Sequence, residues 1–169
     1  MKKRLQTLPG ILSFVLFTAC YTPLQSPNQK PMTKAEQRAE TARLVRQRID
    51  ERRFLIDVSI MLPLRGMSQH ISDGYYLEVA GDTIVSHLPY RGVARQVPYG
   101  GGKGLNFEGT ITDYKASTHK KGRHRVELTV RNDEDTYLYQ VDVFENGSAS
   151  VHVHSRERES ISFTGQMRK

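Results

Sequence analysis

The chain contains 169 residues and carries a formal net charge of +7, from 25 lysine and arginine residues against 18 aspartate and glutamate residues. This balance permits association with anionic headgroups or polymers. It is not by itself the signature of a nucleic-acid-binding protein, and we predict no nucleic-acid partner. The single cysteine excludes an internal disulfide, so the folded part of the chain must be held together by its hydrophobic core.

Residues 1–19 have the three parts of a secretory signal. Three cationic residues start the chain, a mainly apolar run covers residues 8–17, and the small residues Thr18 and Ala19 precede Cys20. The apolar run is too short to cross a bilayer as a helix, which needs about 20 residues. The pattern resembles a bacterial lipoprotein signal, which implies that Cys20 becomes the first mature residue and is acylated, for example with palmitate. The alternative is an ordinary signal peptide followed by an unrelated cysteine.

A tether and a helix follow the signal. Residues 20–32 contain three prolines among polar residues and predict an extended tether. Residues 33–53 predict a helix, because Thr33 and Glu36 have the spacing of a capping box and a narrow stripe of small and aliphatic residues recurs at helical spacing. The other faces of the helix carry six arginines. They allow contact with an anionic membrane surface, but we favour a solvated helix whose stripe packs on the following domain.

From residue 54 onward the hydrophobic period changes to two, which is typical of β-strands with one buried face. The alternating segments are residues 54–62, 75–79, 83–88, 105–111, 125–130, 137–143, 149–154 and 161–163. Short turn signals such as Asn146-Gly147 connect several of them. Residues 54–169 therefore predict a mainly β fold, a single antiparallel β-sandwich or small barrel of about eight strands, preceded by one N-terminal α-helix.

Two blocks of the β region carry a family resemblance. The first comprises residues 88–94 (LPYRGVA) and 98–109 (PYGGGKGLNFEG), and the second includes residues 143–149 (VFENGSA) and 158–165 (RESISFTG). Together with the lipoprotein signal, they resemble the lipoproteins of Gram-negative anaerobes that are grouped as domain of unknown function 4251. The resemblance covers residues 54–166. It implies an envelope location and a β-rich fold, and it carries over no catalytic residue, because that family has none assigned.

Two histidines form the clearest candidate metal site. His152 and His154 stand two residues apart on a predicted strand, so they project from the same face, and Asp142 on the preceding strand is a candidate third ligand. The same histidines lie on the face opposite the apolar residues of their strand. We therefore favour two histidines on the outer surface of the sheet, and we predict no cofactor.

The glycine-rich run at residues 100–104 predicts a loop between strands. It lacks the spacing and the Ser or Thr of a phosphate-binding loop, but the nearby Tyr90, Tyr99 and Lys103 form a candidate ligand surface. Residues 119–125 are the densest cationic run, which is typical of a solvated hairpin tip and is also suited to an anionic polymer.

These features favour a non-enzymatic lipoprotein of the cell envelope. We predict that acylated Cys20 anchors it, in the outer membrane, with the periplasmic or external face left open. The β domain would bind an envelope protein or a small ligand, or serve a structural role. One alternative is a metal-dependent hydrolase that uses His152 and His154. Another is an adhesion or anionic-polymer-binding module that uses the cationic hairpin and the glycine loop.

Overall fold

A computed structural model describes residues 32–95, 102–120 and 122–169. The predicted signal at residues 1–19, Cys20, most of the tether and Tyr99 lie outside these ranges. The described elements are one helix, α1 (Lys34–Asp50), and nine strands, β1 (Arg53–Pro63), β2 (Gln69–His70), β3 (Tyr76–Ala80), β4 (Thr83–Leu88), β5 (Leu105–His119), β6 (Arg123–Arg131), β7 (Thr136–Phe144), β8 (Ser148–Ser155) and β9 (Ile161–Met167).

The strands close into an antiparallel barrel. Neighbours are paired in the order β2-β1-β3-β4-β5-β6-β7-β8-β9, and β9 pairs back onto β1. Eight of the described strands therefore form the closed barrel, while β2 is an additional strand that pairs with β1 at Ile60 and Met61. The mainly β fold with one N-terminal helix is confirmed, and the barrel is the form that it takes.

The seam between β1 and β9 closes the barrel, and its geometry depends on a glycine. The register of the two strands shifts between Val58 and Ile60, which marks a β-bulge. At this point Gly165 lies directly against the backbone of β1. A Cβ atom at Gly165 would overlap the carbonyl oxygen of Asp57 and lie 2.8 Å from Val58 Cα. A residue without a side chain is therefore required here.

Large side chains fill the inside of the barrel. Alternate residues of each long strand point inward, and those with almost no solvent exposure include Tyr137, Tyr139, Phe163, Leu77 and Leu128. The buried hydroxyl of Tyr139 donates a hydrogen bond to Ser86 Oγ at 3.0 Å, and burial raises the pKa of this tyrosine. Burial of each large apolar side chain contributes about 1.5–3 kcal/mol, so this interior is the main source of stability.

Helix α1 covers the end of the barrel where β1 begins and β9 ends, which we call the helix end. The predicted capping box is confirmed: Glu36 N donates to Thr33 Oγ1, and Thr33 N donates to Glu36 Oε2 at 2.7 Å. Val45 and Ile49 are buried in the same core as the strands. Tyr114 donates a hydrogen bond to Ile49 O at 3.0 Å, and burial raises the pKa of Tyr114 to about 12.

Residues Met32–Lys169 form one compact unit. Every described strand and every buried side chain of the described core belongs to it. The unit therefore contains the closed hydrogen-bond network and the apolar core that a domain needs to fold by itself.

His124 lies beneath α1, on the inward face of β6, and is almost fully buried. Its Nδ1 is hydrogen-bonded to Thr118 Oγ1 at 3.1 Å, while its Nε2 is buried and has no hydrogen-bond partner among the described residues. Burial lowers the pKa of His124 and Arg46 lowers it further, against the opposing effects of Glu145 and Asp50. The fold therefore favours the neutral imidazole.

We expect acid to destabilise the domain through His124. Its folded pKa is lower than the ordinary value of 6.5, so at a pH between the two values the unfolded chain binds more protons and acidification favours unfolding. The stabilisation is complete above pH 6.5 and is lost as the pH falls toward the folded pKa. Thermal unfolding of Met32–Lys169 at a series of pH values measures this, and His124→Gln should flatten the profile.

The exposed His119 provides the control for this measurement. The flattening of the profile in His124→Gln should exceed any change that His119→Gln causes. An unchanged acid response in His124→Gln would contradict the assignment to His124.

Candidate ligand surface at the loop end of the barrel

The candidate residues Tyr90 and Lys103 lie at the opposite end of the barrel, which we call the loop end. Tyr90 follows β4 and Lys103 precedes β5. The Tyr90 hydroxyl lies within donating distance of Val93 O at 3.1 Å and Glu159 O at 3.2 Å, and burial raises its pKa. Lys103 donates its backbone N–H to Glu134 Oε1 at 2.8 Å. Tyr99, the third candidate, lies outside the described residues.

A buried ion pair connects these two candidates. Arg158 Nη2 lies 2.8 Å from Glu134 Oε2, and the two side chains are only 7 % and 8 % exposed. The Arg158 guanidinium also lies 5.7 Å from the centre of the Tyr90 ring, in a cation–π contact. Tyr90, Arg158, Glu134 and Lys103 therefore form one chain of contacts that fixes both ends of the glycine-bearing loop.

Asp135 shapes the connection between β8 and β9 at the same end. Its carboxylate accepts hydrogen bonds from Ser155 Oγ and from the backbone N–H groups of Thr136, Arg156 and Glu157. Burial alone would raise the pKa of Asp135, but these donors outweigh it and lower the pKa. The ionised carboxylate thus serves as the acceptor around which the connection folds.

Glu159 joins this connection to the segment that follows Tyr90. Its side chain accepts from Val93 N at 3.2 Å and lies 3.2 Å from Arg65 Nε, while its own N–H donates to Val93 O. Exposed apolar side chains stand close by in the chain, at Leu64, Met67 and Val93. The loop end therefore presents apolar groups beside charged groups on a hydrogen-bonded support.

The candidate metal ligands lie on the outer face of the barrel. His152 Nδ1 is hydrogen-bonded to Ser162 Oγ at 2.8 Å, and His154 Nδ1 to Ser160 Oγ at 2.9 Å. Both oxygens of Asp142 accept from Arg125, at 2.9 and 2.8 Å. The structure describes no group of three or more His, Cys, Asp and Glu side chains arranged to hold a metal within residues 32–95, 102–120 and 122–169. The metal site stays a prediction.

Arg125 also determines the ionisation of Asp142. The hydrogen bonds from Arg125 lower the pKa of Asp142 against the effect of burial, and Arg123 adds to this lowering. The negative charge of Asp142 is therefore already balanced by arginine.

The cationic hairpin tip lies at the helix end, between β5 and β6. His119 and Lys120 are exposed there, and Arg123 Nε lies 3.9 Å from Asp142 Oδ1. Lys121 lies outside the described residues.

The loop-end residues that the sequence did not single out are Glu134, Arg158 and Glu159. Glu134 belongs to a run of acidic residues that is typical of an exposed turn. The partner that buries it is 24 residues further along the chain. Nothing in the spacing of charged residues along the sequence indicates that Glu134 pairs with Arg158.

No helix in the described part of the chain has the length and apolar character needed to cross a membrane.

Comparison with known proteins identifies the family. Residues 36–167 match the family model described as a domain of unknown function, DUF4251. The fold is similar to the crystal structure of a DUF4251 family protein from Bacteroides eggerthii DSM 20697, with a TM-score of 0.58 and 15 % sequence identity over 76 % of this chain and 87 % of that one. No curated protein matches the sequence. The resemblance stated from the two sequence blocks is thus confirmed, and the chain belongs to the DUF4251 family.

Proposed function

We propose that this protein is a membrane-anchored lipoprotein of the cell envelope, held by acylated Cys20, with a non-catalytic β domain. The domain binds an envelope protein or a small ligand on its outer surface. Support for the anchor comes from the charged, apolar and small-residue segments that precede Cys20. A chain held by more than one acyl group is stably attached, because each buried methylene contributes about 0.8 kcal/mol.

Because side chains fill the interior of the barrel, we place the binding surface on its outside. Barrels that carry a ligand inside leave room between their inward side chains. Here the inward residues include Tyr137, Tyr139 and Phe163, all without measurable exposure, and α1 covers the helix end. A partner of this domain therefore binds to the outer surface of the barrel.

The loop end suits that role best. Tyr90 and Lys103 are held there by the Glu134–Arg158 pair, so the surface is rigid before any partner arrives. Rigid surfaces lose less conformational entropy on binding than mobile ones. The exposed Val93 and the exposed Lys103 side chain offer apolar and cationic contacts on the same support.

The experiment uses the full chain expressed in a Gram-negative anaerobe. Cells are fed an alkyne-bearing fatty acid, and the protein is recovered from the membrane fraction. We expect the label on the protein and its loss in Cys20→Ser, because the thiol is the acylated group. Thr22→Ala is the control and should retain the label. An unlabelled protein that is found in the soluble fraction would contradict the anchor.

The same anchored chain tests the binding surface by site-specific photocrosslinking. A photoreactive side chain at Val93, which is 59 % exposed, should form a crosslinked species of defined mass. The matched position is Leu138, which is 40 % exposed on the outer side of β7. Equal crosslinking at Val93 and Leu138, or none at Val93, would contradict binding at the loop end.

A further inference from the structure

A groove runs along α1 at the helix end of the barrel. A cavity of about 390 Å³ lies between the helix and the ends of β1 and β3, and a second of about 380 Å³ lies between the start of the helix and the β7–β8 turn. A smaller space lies between them and is lined by residues of both, including Arg48 from the first cavity and Thr41 from the second. We call the whole the α1 groove.

The walls of the α1 groove are strongly basic. Six of the described lining residues are cationic and two are acidic. The cationic residues are Lys34, Arg38, Arg48, Arg53, Arg168 and Lys169, and the acidic ones are Glu78 and Glu145. Four of the six cations lie within residues 34–53 and the other two are residues 168 and 169, so the fold brings two distant stretches of the chain together here.

Most of these cations have no partner within the described part of the protein. Arg168 is paired with Asp57, at 2.6 Å between Nη2 and Oδ1. Arg48 and Arg53 make no side-chain hydrogen bond or ion pair to any residue that the structure describes, although nearby Arg43 and Arg52 each have an acidic partner. The groove therefore offers guanidinium groups whose donors remain available for an anion.

The first cavity also has an apolar floor. Leu55 and Ala80 line it together with Arg48 and Arg53, and Ala80 lies opposite Arg53 in the pairing of β1 with β3. A phosphate ester with an attached alkyl or glycerol group matches this arrangement. Guanidinium groups bind phosphate through paired, charge-assisted hydrogen bonds, and the ester's carbon atoms pack on the floor.

We propose that the α1 groove binds the phosphate group of an anionic phospholipid headgroup. This inference rests on the proposed anchoring of the protein, which brings the helix to a lipid surface. Lys34 is the fourteenth residue after Cys20, so the anchor keeps the start of the helix within about 50 Å of the membrane. The anchor therefore raises the local concentration of headgroups around the groove and adds to the affinity of the site itself.

The test uses the unacylated unit Met32–Lys169, so that its outcome is independent of whether Cys20 is modified. Flotation with phosphatidylcholine vesicles that contain about 30 % phosphatidylglycerol should recover the protein with the vesicles, whereas pure phosphatidylcholine vesicles should not. The double variant Arg48→Gln/Arg53→Gln should weaken this binding by about tenfold or more. Its unfolding temperature is measured in parallel, to establish that the barrel is intact.

The control variant Arg131→Gln/Arg156→Gln removes the same charge at the loop end, where both arginines are exposed. Its vesicle binding should stay within about twofold of the unmodified unit. Equal losses of vesicle binding in the two double variants would overturn the proposal, because they would show that only the total positive charge matters. Absence of binding to phosphatidylglycerol vesicles would overturn the proposal outright.

A soluble phosphate ester is the competing source of the same chemistry. Glycerol 3-phosphate is titrated into the unit while amide chemical shifts are recorded. Saturable shifts at Arg48 and Arg53 without vesicle binding would overturn the lipid assignment. If Cys20 is not acylated but the unit still binds the vesicles, the anchor is rejected and the proposal for the groove is retained. The two failures are therefore distinguishable.

Discussion

Gly165→Ala is expected to prevent the barrel from closing, with a loss of at least about 4 kcal/mol in the free energy of unfolding. The new Cβ would overlap Asp57 O and lie 2.8 Å from Asp57 C and Val58 Cα. These are backbone atoms of the paired strand, so no side-chain rotation can relieve the overlap. The measurement is urea unfolding of Met32–Lys169 followed by far-ultraviolet circular dichroism.

Thr164→Ala is the control for this substitution. Thr164 precedes Gly165 on β9, is partly exposed, and offers its backbone carbonyl to Ser59 Oγ. Removing its side chain should change the free energy of unfolding by less than about 1 kcal/mol. A Gly165→Ala protein with a normal unfolding midpoint would show that the seam tolerates a side chain and would contradict the role assigned to this glycine.

Glu134→Gln is expected to destabilise the domain by about 3 kcal/mol, because it leaves the Arg158 charge buried against a neutral amide. The substitution keeps the shape of the side chain, so the loss reports on charge and not on packing. It should also loosen Lys103, whose backbone N–H donates to the same carboxylate. Urea unfolding measures the first effect, and hydrogen exchange at the Lys103 amide measures the second.

The neighbouring residue supplies the matched control. Asp133 lies in the same turn and is paired with Lys103 at 3.7 Å, but the two side chains are 72 % and 61 % exposed. Asp133→Asn should cost less than about 1 kcal/mol, as is usual for an exposed ion pair. If Asp133→Asn and Glu134→Gln were equally mild, burial would not be what makes the Glu134–Arg158 pair important.

The strand pattern made the β fold predictable, but not its closure. Alternation along residues 137–143 or 149–154 reports which side chains face a core, and a sandwich core and a barrel core give the same alternation. Closure depends on β1 meeting β9 more than a hundred residues later, with Ile56 opposite Met167. Pairing at that distance leaves no local mark in the sequence.

Two details of the strands show the same limit. Strand β5 runs on to His119, although alternation was evident only as far as residue 111, because its second half pairs with β6. Strand β2 has only two residues, too few for any periodic pattern, and it exists because Gln69 and His70 meet Met61 and Ile60. Tertiary pairing decides both cases.

The candidate site was predictable only in part. Tyr90 and Lys103 were found from their place beside a glycine run, but the ion pair that supports them was not. Glu134 stands among acidic residues, and His124 within a cationic run, so both resemble solvent-exposed positions in the sequence. Burial by distant segments gives each of them its role.

The shortness of β2 has a consequence for how molecules of this protein behave beside one another. An exposed sheet edge offers unpaired N–H and C=O groups that can recruit a strand from another chain and start aggregation. Strand β2 adds only Gln69 and His70 beyond the closed ring. In the second half of β5, by contrast, residues 113–119 pair with β6 on one side and with no described strand on the other. A strand from another chain would therefore find too little backbone at β2, and the second half of β5 is where such pairing would begin.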